Sequence, residues 1–221
     1  MINPDKDLGS CIVVFKDVFS DSHEIINILE KENKLNLKQE SWSWEKAGTI
    51  GYGSDQNVRT NYTMAITKNA KFGNENAKKI HNLIFTKVEE AIAWYKNRYN
   101  IPFELYHEPY TVLKYSNNVE YKPHFDGSTE TARSVSVVIY LNDDYDGGEI
   151  EFTNFNLKLK PEANSMIFFP SNFAYTHKAH PVTSGTKYAI VTCLHDWLSP
   201  EVPQFPIKKS LLNIGIVGLI K

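Results

Sequence analysis

The sequence predicts an α+β fold in which N-terminal helices buttress a β core. Three observations carry this. Asn74 to Asn97 places Ala77, Ile80, Leu83, Ile84, Val88, Ala91 and Tyr95 at a period near 3.6, the mark of an amphipathic helix. From Leu105 to Leu194 short runs rich in β-branched and aromatic residues are separated by turn clusters, the texture of a sandwich or barrel. Helices precede strands instead of alternating with them, which favours α+β over a parallel α/β sheet.

Taken in order, Cys11 to Phe19 reads as a strand. Asp21 then looks like an N-cap, with Glu24 three residues on at capping-box spacing. Ile25, Ile26, Ile28 and Leu29 follow with helical clustering. Residues 41 to 57 are rich in Ser, Gly, Asn and Trp and read as an irregular loop. The long helix follows, closed by Pro102. The predicted strands are Leu105 to Tyr115, Val135 to Leu141, Glu149 to Phe152, Ser165 to Phe169 and Tyr188 to Leu194. Turn clusters lie at 116–118, 142–148, 161–164 and 184–185. The organisation expected is one domain over 1–221: helical support to about 104, a β core over about 105–200, and a tail over 201–221.

Composition narrows the function. With 42% hydrophobic and 23% charged residues the balance is globular, and 221 residues suffice for one well-buried core. A net charge of -2 gives no broad basic field, which argues against a nucleic-acid partner. The two cysteines, Cys11 and Cys193, make no disulfide framework and point to a reducing compartment. The Met1 to Asp7 start has neither a basic region nor an apolar stretch, so no signal peptide is read there. No run approaches the ~20 apolar residues of a membrane span. The apolar Leu211 to Ile220 is expected to pack on the domain or a partner. Cytoplasmic location without membrane contact is the expectation.

His124-Phe125-Asp126 carries the chemistry. On a strand, residues i and i+2 point to one face, so an imidazole and a carboxylate there can reach one ion. A third ligand must come from a neighbouring strand. His177, after Phe168-Phe169-Pro170, and His180 are the candidates, and spacing does not choose between them. Two imidazoles and a carboxylate fit one face of an octahedral Fe(II) and leave three positions open. His-x-Asp alone is common by chance, so the weight rests on the joint pattern. Lys187, at the start of a predicted strand after Gly185-Thr186, adds a point charge with three donors.

The chain resembles the prolyl 4-hydroxylase branch of the Fe(II)/2-oxoglutarate oxygenases. The resemblance rests on 113–115, Tyr121-Lys122-Pro123-His124-Phe125-Asp126, Val138 to Asn142, Gly147-Gly148-Glu149, His177 to Val182 and Gly185 to Ile190. It spans about 105 to 196, with a looser match at Val58 to Asn61. In that family the distal histidine is followed by Pro-Val four residues on and a basic residue ten on. This register selects His177 over His180.

The resemblance implies a double-stranded β-helix, or jelly roll, core with helices on one side. It implies Fe(2+) on His124, Asp126 and His177, and Lys187 on the distal carboxylate of 2-oxoglutarate. Lysine rather than arginine there points to the prolyl 4-hydroxylase branch. Tyr115 and Tyr140 are candidate donors to the same co-substrate. Tyr121 lies three residues before His124, on opposite strand parity, and either packs behind the metal or flanks substrate. Cys193 stands where many relatives carry an aromatic, which would widen the pocket. Arg59 matches an arginine near the family's peptide groove. Trp42 and Trp44 alternate in the irregular loop, with Gly48, Gly51 and Gly53 near them, and either lid the site or plug the barrel.

The activity implied is a dioxygenase that consumes O2 and 2-oxoglutarate and releases succinate and CO2. It would hydroxylate a peptidyl residue, proline first, with L-ascorbate keeping the iron reduced. The alternatives are the same chemistry on a non-prolyl or small-molecule substrate, and a jelly-roll binding module that has lost catalysis. The charge balance and the Lys187-Tyr188 end disfavour a nucleic-acid demethylase. Small unsecreted relatives occur in viruses and bacteria.

Overall fold

The computed structural model describes residues 2, 4–20, 22–35, 43–47, 60–116, 118–127 and 132–196. Its strands are β1 (Lys6–Asp7), β2 (Val13–Phe15), β3 (Glu45–Lys46), β4 (Tyr62–Ala65), β5 (Tyr106–His107), β6 (Thr111–Ser116), β7 (Tyr121–His124) and β8 (Arg133–Tyr140). They continue with β9 (Asp146–Gly147), β10 (Ile150–Phe152), β11 (Leu157–Leu159), β12 (Ser165–Pro170), β13 (His177–Ala179), β14 (Val182–Ser184) and β15 (Thr186–His195). The helices are α1 (Ser22–Leu35), α2 (Ile66–Lys71) and α3 (Glu75–Arg98).

The large antiparallel sheet runs β1-β2-β12-β8-β15-β6-β4-β3, with β5 also pairing β15. Alternation along its strands divides two environments. Val135, Val137 and Ile139 of β8 and Tyr188, Ile190 and Leu194 of β15 share a core cluster with Ile25 and Leu29 of α1 and with Ile80, Ile84, Val88 and Tyr95 of α3. The helices thus cover one face. On the other, Val14, Ile167, Phe169 and Tyr140 pack with Ile150 and Phe152 of the smaller sheet β11-β10-β13-β7. Phe152 meets Phe169 edge to face, with centroids 4.9 Å apart and planes at 78°. Two facing antiparallel sheets with helices outside are the expected α+β jelly-roll arrangement.

The long helix keeps its predicted limits within a residue. Asn74 caps it, its side chain accepting from the Ala77 amide at 2.8 Å. It ends at Arg98, and Asn100 turns the chain at φ 50° before Pro102. Leu83, counted in the periodic set, is exposed. The predicted cap of α1, Asp21, lies outside the described residues. Ser22 there donates its amide to the Asn164 side chain at 2.8 Å and its hydroxyl to the Leu141 carbonyl.

Two strands come out differently. The first is only Val13–Phe15, because Cys11 and Asp17 take positive φ at either side. The predicted Leu105 to Tyr115 strand splits into β5 and β6, because Pro109 lies between them and cannot donate to a ladder.

Candidate metal centre

β13 pairs with β7, and His177 stands directly opposite His124. The next pair is Ala179 with Tyr121, two residues on in β13 but three back in β7. This bulge inserts one residue into β7 and resets its alternation. Tyr121 therefore does not lie on the opposite face from His124, as simple parity predicts. Its ring stacks on the imidazole, centroids 3.5 Å apart and planes at 16°.

Asp126 also departs from the expected strand alternation. β7 ends at His124, so strand alternation does not bring the carboxylate to the histidine. A bend does, and hydrogen bonds hold it. The Gly127 amide donates to the Ser171 carbonyl at 2.8 Å, and Arg133 donates to the Asp126 carbonyl at 3.0 Å. The Ser136 hydroxyl lies 2.6 Å from Asp126 Oδ2 and 2.8 Å from the Ser171 hydroxyl. A carboxylate only accepts, so Ser136 donates to Asp126 and receives from Ser171.

The three side chains converge. His124 Nε2 lies 3.7 Å from Asp126 Oδ1, and His177 Nε2 lies 3.8 Å from Asp126 Oδ2. All three ligand atoms lie within 4.8 Å of one another. An ion about 2.1 Å from each donor needs pairs no more than about 4.2 Å apart, and these two pairs comply. The other ring nitrogens face carbonyls: His124 Nδ1 is 2.7 Å from Lys122 O, and His177 Nδ1 is 3.0 Å from Tyr175 O. Since carbonyls cannot donate, each Nδ1 carries a proton, which leaves Nε2 as the ring position for a metal. This is the tautomer a metal ligand needs. Burial pushes the Asp126 carboxyl up, but His177, His124, the Ser136 hydroxyl and Arg133 outweigh it and hold it below the usual range. The donor set therefore fits a divalent ion.

Arg133 is itself clamped. Its guanidinium bonds both oxygens of Glu108, at 2.6 and 2.7 Å, while reaching the Asp126 carbonyl. His195 Nε2 lies 2.8 Å from Glu108. None of Ser136, Ser171, Arg133 or Glu108 stood out in the sequence. One signal was available: Ser136 shares strand parity with Tyr140, so it is polar at an inward position of β8.

Lys187 lies on the inward face of β15, directly opposite Tyr115 of β6, with Ala189 opposite Tyr140 of β8. It is 3% exposed. Its ammonium donates to the Gly148 carbonyl at 2.5 Å and lies 5.3 and 5.1 Å from the ring centres of Tyr115 and Tyr140. Among the described residues no carboxylate comes within ion-pair distance of it. Burial depresses its pKa to about 7. A buried cation with spare donors suits an anionic group.

The Gly147-Gly148 pair makes this possible. Both take positive φ, and a Cβ on Gly147 would sit 2.2 Å from the Pro181 carbonyl oxygen. Gly147→Ala is expected to lower the unfolding free energy by about 1–3 kcal/mol, read by urea denaturation. A wild-type midpoint would show that the turn relaxes freely.

His180 turns away from the metal site, its Nε2 2.5 Å from Glu151. Cys193 lies 3.9 Å from the Ser136 hydroxyl, at the Asp126 end of the interior. Trp44 lies against Tyr188 and the Lys114 ammonium, on the helical side of the large sheet. It is therefore no lid over the inward face, because Tyr188 and Lys187 point to opposite sides. Arg59 and Trp42 lie outside the described residues.

Residues 110–195 match the family model of the 2OG-Fe(II) oxygenase superfamily. A PKHD-type hydroxylase of Rippkaea orientalis is 30% identical over 84% of this chain and 68% of its own length. A protein of Acanthamoeba polyphaga mimivirus, whose name places it with the prolyl 4-hydroxylases, is 30% identical over 62% of this chain. The chain spans 58% of that relative's length. Among solved structures, a Trichoplax adhaerens prolyl hydroxylase in complex with a hypoxia inducible factor peptide aligns with TM-score 0.70 at 17% identity, over 85% of this chain and 84% of that one. The viral collagen prolyl hydroxylase of Paramecium Bursaria Chlorella virus-1, with 2OG, aligns with TM-score 0.58 at 19% identity, over 84% and 96%. At these identities the solved structures establish a shared fold.

Proposed function

The chain belongs to the 2OG-Fe(II) oxygenase superfamily, and from that premise we propose that it is a dioxygenase hydroxylating a peptidyl residue, proline first among the candidates. The carrying observation is the convergence of His124, Asp126 and His177, whose ligand atoms all lie within 4.8 Å of one another, with a backbone carbonyl facing Nδ1 of each imidazole. These three residues would hold Fe(II), and Lys187 the distal carboxylate of 2-oxoglutarate. With both bound and O2 supplied, the site would couple decarboxylation of the 2-oxo acid to succinate and CO2 with hydroxylation of a substrate C–H bond.

The protein's own residues orient and exclude. The carbonyls of Lys122 and Tyr175 fix both imidazoles, and Ser136 fixes the carboxylate. Phe169 packs edge-on to His177, centroids 4.9 Å apart, and Phe152 lies behind it, keeping that side dry. Tyr115 and Tyr140 line the wall around Lys187 and are proposed as neutral donors to the co-substrate. Tyr121 stacks on His124 and is proposed to flank what enters beside the metal. Arg59 and Trp42 are retained as candidate substrate residues on the resemblance alone. L-ascorbate is proposed as the reductant that restores oxidised iron.

Proline rests on the relatives, whose names include prolyl 4-hydroxylase, prolyl 3-hydroxylase and PKHD-type hydroxylase. Incubation of proline-rich peptides with Fe(II) and 2-oxoglutarate is expected to add one oxygen to proline, matched by succinate. Turnover on another acceptor with proline unmodified would reject the prolyl assignment and keep the oxygenase. Absence of any succinate would reject the oxygenase as well.

A further inference from the structure

We propose that Tyr145 is a further co-substrate-binding residue, its hydroxyl donating to the distal carboxylate of 2-oxoglutarate beside Lys187. The inference rests on the site reading above and adds a residue to it. Tyr145 lies in the turn between β8 and β9 and is 3% exposed. Its hydroxyl is fully buried and, among the described residues, has no hydrogen-bond partner. Buried hydroxyls left alone are rare, and an unfilled ligand site is one reason for them.

Its surroundings are those of the pocket. The ring packs with Leu113, Tyr115 and Val182, and the Lys187 ammonium lies 5.9 Å from its centre. Tyr140 feels both phenols: after burial, Tyr145 and Tyr115 are what push its hydroxyl pKa up. Three tyrosines therefore surround one buried ammonium. Burial likewise raises Tyr145 itself, so it stays protonated and able to donate.

The backbone makes room for this ring. A Cβ on Gly148 would lie 2.9 Å from Tyr145 Cε2, and one on Gly185 would lie 3.1 Å from its Cα. Both glycines hold positive φ, at 67° and 75°. On the outer side Lys160 donates to the Tyr145 carbonyl and lies 5.0 Å over the ring. The ring is thus clamped while its hydroxyl is left unmatched. A carboxylate offers about four lone-pair sites. Lys187 has three N–H donors, one already on Gly148, so a neutral donor beside it supplies what the ammonium lacks.

Tyr145→Phe removes the hydroxyl and keeps the ring. The test titrates 2-oxoglutarate calorimetrically into Mn(II)-loaded protein without peptide, and repeats it with 2-oxopentanoate, which lacks the distal carboxylate. The variant is expected to bind 2-oxoglutarate roughly ten-fold or more weakly, with 2-oxopentanoate affinity unchanged and no fall in melting temperature. Unchanged 2-oxoglutarate affinity overturns the proposal, as does equal weakening of both ligands, which would mark a change of pocket shape. Lys187→Ala run alongside separates the two levels. If wild type does not bind 2-oxoglutarate, the site reading itself fails. If Lys187→Ala weakens binding and Tyr145→Phe does not, only the role of Tyr145 is lost.

Discussion

His177→Ala is expected to abolish iron-dependent turnover, while His180→Ala leaves it largely intact. The two residues are three apart and both precede the Pro181-Val182 step, yet the fold separates them. His177 opposes His124 across the β13–β7 ladder and turns Nε2 toward Asp126. His180 lies past the end of β13, where its amide donates to the Glu149 carbonyl and its ring pairs with Glu151. Loss of a group that merely orients a metal ligand costs about 10- to 100-fold. Loss of the ligand should exceed that, because two donors remain and the ion is held on one side only. The check is succinate formation with metal content measured on the same samples. Reversed phenotypes would move the distal ligand to His180.

Lys187→Ala is expected to raise the 2-oxoglutarate requirement at least about 30-fold, since truncating one partner of a buried charge pair costs roughly 2 kcal/mol or more. Maximal turnover at saturating co-substrate should change less. An unchanged requirement would remove Lys187 from the site. Its titration supplies a second signature. In the free protein the ammonium pKa is depressed to about 7 by burial, from 10.5. A carboxylate binds the charged form. Above pH 7 the empty site must first take up a proton, so affinity should weaken as pH rises, approaching ten-fold per unit. Burial keeps Tyr140 and Tyr145 protonated throughout, so they do not contribute. Folding has the opposite sign. Between pH 7 and 10.5 the unfolded chain holds a proton that the folded one lacks, so this group makes the ligand-free protein more stable as pH rises. Calorimetry in buffers of different ionisation enthalpy checks the uptake. A pH-independent affinity with no proton exchanged would contradict it.

What could be read in the sequence depended on length and regularity. α3 was legible because seven apolar positions repeat at one period over 24 residues. β8, β12 and β15 were legible because they are six to ten residues long and apolar on the helical face. β13 and β14, with three residues each, show no alternation to detect. The candidate ligand histidines sit on short strands of three and four residues, so they stand out through the joint motif, and periodicity contributes little. Parity misled at Tyr121 because a bulge is set by the partner strand, which local sequence does not reveal. The same holds for Asp126, placed by serines from β8 and from the residue after β12. Tyr145 escaped notice because its setting is made by two glycines 37 residues apart in the chain.

The bulged strand has one more consequence. Among the described residues β7 is an edge strand: it pairs with β13 alone, through two residue pairs. His177 and Asp126 are anchored from the interior, whereas His124 rides on this lightly fastened edge. A metal bound to all three would therefore act as a rivet between an edge strand and a fixed wall. Occupancy and local unfolding then become linked quantities, and slowed amide exchange over 121–124 would register the arrival of the ion before any substrate is present.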